Sequence, residues 1–387
     1  DVERSRGLGD VYKRQSDLVL TDKLNQSLDV VASGSGFVCR NTASGCVAAP
    51  ALTPAVVGGQ FPASWIGFIS APVTGTTKFR ETIVSAVVDG PLFDIWGGPV
   101  QIAVGAEYRK QTLNDTPSLE SQRGNVYNFT SSTITRGSDN VKEVFGEIEA
   151  PILTNRPFFE DLTLKASARY TDYASYGSQT TYKVGGIYSP FRWLSARGSY
   201  GTSYRAPGLF EQFLGATSGF QSASIDPCNN LGAAGQNPVR VANCQAEGLA
   251  NGFIQTNGVT VLQRGGADSG LKSENSVAWT AGGVLQPSFG DWGKLSLSAD
   301  YFDIKVDGGV SQLGAGTILQ QCYDDPDFRQ ESICALAVRN SANQALTVTT
   351  GFVNIATAKV TGWDFNARYS VRRGDVNFDI GGQVTRF

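Results

Sequence analysis

The 387-residue chain contains no histidine and no methionine. Without histidine, a Ser-His-Asp arrangement or a His-bearing zinc site has no residue to use. Charged residues make up 17% of the chain, against ~25% in an average soluble domain, and the formal net charge is −3. There is no basic excess to attract a nucleic acid, so no nucleic-acid partner is expected. No run approaches the ~18 apolar residues of a membrane helix; the most apolar short stretch, 82–88, is strand-sized. A chain without an initiator methionine is either processed or a fragment, so missing targeting signals exclude nothing.

What is abundant points the other way. Glycine, at 45 residues, is well above the usual ~7%, and aromatics, mostly Phe and Tyr, reach 10%. A glycine-rich, aromatic-rich, charge-poor balance leans towards an all-β chain. At this length a soluble protein would usually form two or three domains, but a large barrel can be one. Residues 1–15 are set aside as non-native, because "DVYKRQ" at 10–15 resembles the translated end of a sequencing-library transposon; 16–387 carry the fold. Six cysteines fall as near neighbours, Cys39/Cys46, Cys228/Cys244 and Cys322/Cys334. None makes a C-x-x-C pair, so short-range disulfides in an oxidising compartment fit better than a metal. The alternative is six free thiols. No metal, cofactor or catalytic residue is expected. The adjacent Asp324 and Asp325 sit beside Pro326, where turn acids are normally solvated.

Period-2 alternation recurs along most of the chain. Leu162, Leu164, Ala166, Ala168 and Tyr170 share one face, and Thr163, Lys165, Ser167 and Arg169 the other. Expected strands are 17–32, 79–89, 99–113, 141–151, 161–173, 179–190, 193–204, 273–286, 294–307, 352–371 and 375–386. Most supply the ~9–11 residues that a tilted strand needs to cross a bilayer. Connections at one end are short. At the other they are long (33–78, 114–140, 205–272 and 308–351), with 174–178 the exception. Short turns on one side and long loops on the other are the habit of outer-membrane barrels. Every cysteine pair falls in a long connection, and Phe93, Trp96, Phe191, Trp193, Phe289 and Trp292 cluster at short turns, where an interfacial girdle belongs.

The expected fold is therefore an antiparallel transmembrane β-barrel, present in part: about eleven strands of something near twenty-two. Small and aromatic apolar residues would face lipid. Glu107, Arg109, Glu143, Glu147, Glu149, Lys165, Arg169, Arg197, Asp364 and Arg368 would face the lumen.

Six ordered segments then carry a family resemblance: "VFGEIEAPIL", "LTLKASARYTDYASYGSQTTYKVGGIYSP", "LSARGSYGTSYRAPGLFEQF", "LKSENSVAWTAGG", "LSLSADYFDIKVDGGV" and "FVNIATAKVTGWDFNARYS". In order, they resemble the barrel of TonB-dependent outer-membrane receptors. The third is the most diagnostic: a strand ends in Tyr204-Arg205-Ala206-Pro207 and runs into Leu209 and Glu211. Pro207 lacks an N–H and should end strand pairing, which makes Arg205 a structural residue of the rim. "FVCRNTASGC" is similar to an external disulfide loop in one branch of the family. The family's N-terminal plug, its coupling box and its closing strands are not in this sequence, and the phase of Phe387 reads as a truncation.

The resemblance implies an outer-membrane receptor of a Gram-negative bacterium. Its partners would be outer-membrane lipid, a small ligand at external loops, and the TonB energy-coupling complex through the N-terminal region. The ligand classes implied are iron-siderophore, cobalamin or carbohydrate. Loop residues that could touch ligand are Phe220, Gln221, Arg240, Gln263, Arg264, Tyr323 and Arg339. A passive porin shares the strand code, and a secreted β-rich carbohydrate-active protein or adhesin is a second rival.

Overall fold

The computed structural model describes residues 8–34, 36–128, 131–266, 270–330, 332–342 and 344–387, with 8–16 described in backbone only. The strands are β1 (Leu8–Val19), β2 (Val30–Ser33), β3 (Gly36–Cys39), β4 (Ser70–Ile95), β5 (Gly98–Thr116), β6 (Thr135–Arg156), β7 (Phe159–Tyr173), β8 (Gly177–Phe191), β9 (Leu194–Arg205), β10 (Thr217–Gln221), β11 (Val259–Arg264), β12 (Glu274–Leu285), β13 (Lys294–Gln312), β14 (Ala337–Arg339), β15 (Leu346–Arg373) and β16 (Val376–Arg386).

All except β2 and β3 join one 14-stranded sheet. Its wall runs β1-β4-β5-β6-β7-β8-β9-β12-β13-β15, each neighbour antiparallel. β16 pairs with the half of β15 next to their turn, and β11 joins the other half in parallel. Among the described residues β1 pairs only with β4 and β16 only with β15, so the sheet is open.

Register shows why the sequence alternates. Glu107 lies opposite Glu143, Glu149 opposite Lys165, and Asp300 opposite Asp364, and counting in twos from these puts all ten residues expected at the lumen on one face. Ion pairs cross that face between strands: Lys165–Glu149 at 2.8 Å, Arg169–Glu143 at 2.9 Å and Arg197–Asp300 at 2.6 Å. The other face carries Val104, Val144, Leu164, Tyr182, Trp279 and Trp363, all exposed. A sheet with its apolar face outwards has the polarity of a wall in lipid. Two glycines make room on the charged face. A Cβ at Gly105 would stand 2.3 Å from the Phe145 ring, and one at Gly282 would stand 2.1 Å from Asp300 Oδ1.

The buried core lies beyond the long-connection end, not in the wall. Cys228, Cys244, Val259, Ile318, Leu319, Cys322, Tyr323, Leu346 and Val348 form it. The connections 205–272 and 308–351 thus fold together as one cap. At the opposite end the exposed aromatics gather at the tight turns, with Phe191 stacked on Trp193 at 5.4 Å and edge-on to Phe158 at 5.7 Å.

The structure corrects several expectations. The first strand is β1, followed by a helix, Thr21–Leu28, and the β2–β3 hairpin, rather than one strand over 17–32. Leu20, Leu24 and Leu28 recur every fourth residue, a helical period rather than a strand period. Apart from these corrections, residues 8–15 of the segment read as non-native lie in β1 and pair with 74–81, and 1–7 lie outside the described residues. β4 and β6 run further into the expected connections. The turns after them are two residues each, Trp96-Gly97 and Pro157-Phe158. The eleven expected strands correspond to β1, β4–β9, β12, β13, β15 and β16, while the short strands β10, β11 and β14, which bring the sheet to fourteen, lie within connections read as loop. Phe387 is out of phase with the exposed Phe378, Ile380 and Val384, as its register predicts, and packs on Phe302 of the charged face at 6.1 Å.

Candidate functional site

The site is built where β9 ends. Arg205 donates to two carboxylates: Nε and Nη2 to Glu274 at 2.8 and 2.7 Å, and Nη1 and Nη2 to Glu211 at 2.9 and 3.1 Å. Glu211 accepts from the Gly208 amide at 2.7 Å, closing the first turn of the short helix Leu209–Phe213. Glu274 accepts from the Val310 amide at 2.6 Å. One guanidinium therefore ties β9, the helix, β12 and β13 together, using the planar fork that only arginine offers. Pro207 is buried, and its carbonyl accepts from the Tyr176 hydroxyl at 2.8 Å and the Gln212 amide at 3.0 Å. Leu209 is buried, and the Tyr204 ring meets Tyr173 edge-on at 6.1 Å. Burial pushes the Tyr176 hydroxyl well above its ordinary value.

A second clasp lies beside it. Asn354 accepts from the Lys272 amide at 2.6 Å and donates to the carbonyls of Lys272 and Gly308 at 2.8 and 2.7 Å. It satisfies backbone groups where β12, β13 and β15 leave the wall. Phe213 packs onto β6 above Gly137, where a Cβ would come within 2.0 Å of its ring.

Under this rim is a cavity of about 680 Å³. β4, β5 and β6 supply Thr77, Asp115 and Thr135 from the charged face, and the rim and cap supply Phe210, Thr217 and Gln263. Asp115 accepts from Thr77, and Thr135 accepts from the Gly215 amide at 2.9 Å.

The cap above is held by charge as well as by its apolar core. Arg339, with 2% of its side chain exposed, forks onto fully buried Asp226 at 2.8 and 2.9 Å and reaches Glu247 at 2.9 Å. Tyr323 donates to Glu247, and Arg329 also pairs with it. Burial, with Arg339 nearby, lowers the Arg329 guanidinium below its ordinary value, and burial raises the Tyr323 hydroxyl. Arg240 forks onto Asp324 at 2.7 Å for both bonds, and this pairing raises its pKa. Disulfides Cys228–Cys244 and Cys322–Cys334 close each half of the cap, and Cys39–Cys46 closes a separate loop. The three pairings are those the spacing suggests.

The expected ligand residues divide accordingly. Gln263 lines the cavity, while Phe220, Gln221 and Arg264 are exposed on β10 and β11. Tyr323 and Arg339 are buried in the cap core, and Arg240 is committed to Asp324, so these three hold loops together. Asp226, Glu247 and Asp115 were not legible in advance. Arg339 is 113 residues from Asp226 and 92 from Glu247, so no local pattern joins them.

This rim, wall and cap have a counterpart in known families. The family model described as TonB dependent receptor-like, beta-barrel, matches residues 17–387. The chain belongs to the TonB-dependent receptor family. Among solved structures, a mutant of the ferric enterobactin receptor PfeA from Pseudomonas aeruginosa is similar at 14% identity over 85% of this chain and 38% of that one, with a TM-score of 0.51. The hemophore receptor HasR from Serratia marcescens, in complex with its hemophore HasA and heme, shows 16% identity over 82% and 43%, TM-score 0.48. The siderophore receptor PirA from Acinetobacter baumannii shows 13% over 81% and 37%, TM-score 0.47. The chain spans less than half the length of these receptors. The comparison with curated proteins finds no match. No described helix is long and apolar enough to cross a membrane, which leaves crossing by strands open. The family is one of outer-membrane receptors and transporters of Gram-negative bacteria.

Proposed function

We propose that this chain is part of the wall, rim and outer cap of a receptor that takes up a scarce bulky ligand across the outer membrane with energy from the TonB complex. The carrying observation is Arg205, which couples the wall strands to the helix that roofs the cavity. Ligand enters over β10 and β11, where Phe220, Gln221, Gln263 and Arg264 are presented on a disulfide-held cap. The ten charged wall residues line the lumen, six of them in ion pairs across strands, so that the wall keeps its shape as the ligand passes. The ligand belongs to the iron-chelate, cobalamin or carbohydrate classes. TonB acts through the plug-bearing N-terminal region of the full-length receptor.

The test is uptake by the full-length receptor in cells with and without TonB. Saturable uptake that disappears without TonB is the expected result. Passage of small solutes that persists without TonB would replace this reading with the passive porin.

A further inference from the structure

The outward apolar face is not uniform. Two register rows, Leu194–Leu285–Leu297–Ala367–Gly382 and Gly283–Ala299–Phe365–Val384, meet in a groove of about 610 Å³ lined almost wholly by apolar surface. Gly283, Ala299, Ala367 and Gly382 form its floor, and Leu297 and Phe365 stand beside it. On the same face of β15, six residues towards the tight-turn end, lies Arg373. Its side chain is exposed, its guanidinium sits 5.2 Å from the Trp292 ring, and no described carboxylate pairs with it. Between Arg373 and the groove the face is apolar: Val371 and Tyr369 on β15, Phe378 and Ile380 on β16.

We propose that this face is a binding site for an anionic phospholipid of the periplasmic leaflet, the headgroup phosphate on Arg373 and one acyl chain in the groove. The proposal rests on the outer-membrane placement given above. Three observations commit it to this occupant. Arg373 is a cation that makes no ion pair with a described carboxylate, at the level of the turn aromatics, where headgroups lie. Trp292 stacks on it, holding the guanidinium at that level. Six strand residues span about 20 Å, or roughly 15 Å of depth at a ~40° tilt, which is half of a ~30 Å hydrocarbon core. The distance from cation to groove is therefore the depth of one leaflet.

The test uses the full-length receptor, exchanged into an equal mixture of phosphatidylglycerol and phosphatidylcholine, with retained lipid counted by native mass spectrometry. Phosphatidylglycerol should be held preferentially. Arg373→Gln should cut that preference about fivefold, the effect of one basic residue at an anionic surface. Gly382→Leu should lower retention of either lipid by filling the groove; a Cβ there meets nothing within 4 Å, so the wall tolerates it. Equal retention of the two lipids by the unaltered receptor, or unchanged retention in both variants, overturns the site. Heat-modifiable migration on gels reports the barrel separately: its absence in the unaltered receptor would sink the membrane placement instead.

Discussion

Arg205 and Glu274 are 69 residues apart in sequence and joined by two hydrogen bonds, of 2.8 and 2.7 Å. Their pairing closes the gap left by the whole connection 206–273 and brings β9 against β12. Because Arg205 also holds Glu211, its loss should free the helix Leu209–Phe213 while leaving the wall paired. Nearly half of the Arg205 side chain is exposed, so solvent screening limits the cost to about 1–2 kcal/mol. Arg205→Ala should raise amide exchange roughly tenfold over 206–216 and spare β5 to β8, and Arg205→Lys should fall between, since an ammonium cannot fork onto two carboxylates. Identical exchange in Arg205→Ala and the unaltered chain would remove the latch.

The cap should fail differently. Arg339→Ala leaves Asp226, which is fully buried, without its counter-charge. Breaking one partner of a buried pair costs about 3–5 kcal/mol. The expected result is rapid proteolysis within 222–264 and 313–345, with the wall still folded by heat-modifiability. A triple variant, Arg339→Met with Asp226→Leu and Glu247→Gln, should recover much of the resistance, because it removes the buried charges together. Proteolysis as slow in Arg339→Ala as in the unaltered receptor would show that the cap does not depend on this network.

The sequence was legible where one face had to differ from the other. β5, β7, β8, β9, β12 and β16 lie within three residues of their expected bounds, because a wall strand must alternate and a slip of one residue would turn every charge into lipid. The rim was partly legible: Arg205 could be placed by the proline two residues on, but Glu274 could not be named as its partner. The cap was not. Its short strands and its ion pairs follow no period, and Arg339 and Tyr323 carry loop-like sequence contexts while being almost wholly buried. The helix Ala315–Tyr323 does carry a helical period, in Ala315, Ile318, Leu319, Cys322 and Tyr323, but one of only nine residues inside a long connection. Helical spacing at Leu20, Leu24 and Leu28 was hidden by the strand rhythm around it.

Tyr323 gives the cap an alkaline limit. Its hydroxyl donates to Glu247 and accepts from Arg339 Nη2 at 3.3 Å, and burial raises its pKa above the unfolded value of ~10. A folded value above the unfolded one means that the native state holds its proton longer. The stabilisation is fully present below about pH 10 and declines as pH rises from there through the folded value. Near-UV circular dichroism of the full-length receptor should therefore show a cap transition above that pH. Tyr323→Phe, which cannot ionise, should be weaker at neutral pH and flat across the same range. A transition of equal size in Tyr323→Phe would assign it to another group.

The three disulfides should open in a fixed order. Both sulfur-bearing residues of Cys228–Cys244 are wholly buried, and Cys322–Cys334 is at most 1% exposed. A thiolate can attack only a sulfur that it can reach. These two bridges therefore resist reductant until the cap itself opens. Cys39–Cys46 lies outside the cap core, with Cys46 partly exposed. Mild reductant followed by mass-resolved alkylation should label Cys39 and Cys46 first, with the cap cysteines protected. Arg339→Ala, which opens the cap by the preceding argument, should abolish that protection while leaving the rate at Cys39 and Cys46 unchanged. Removing Cys228 and Cys244 by serine substitution should then cost about 3 kcal/mol, the value for a loop of roughly fifteen residues, again seen as cap proteolysis. Equal labelling of all six cysteines in the unaltered receptor would mean that the cap opens freely, and the rigid platform proposed for ligand capture would have to be given up.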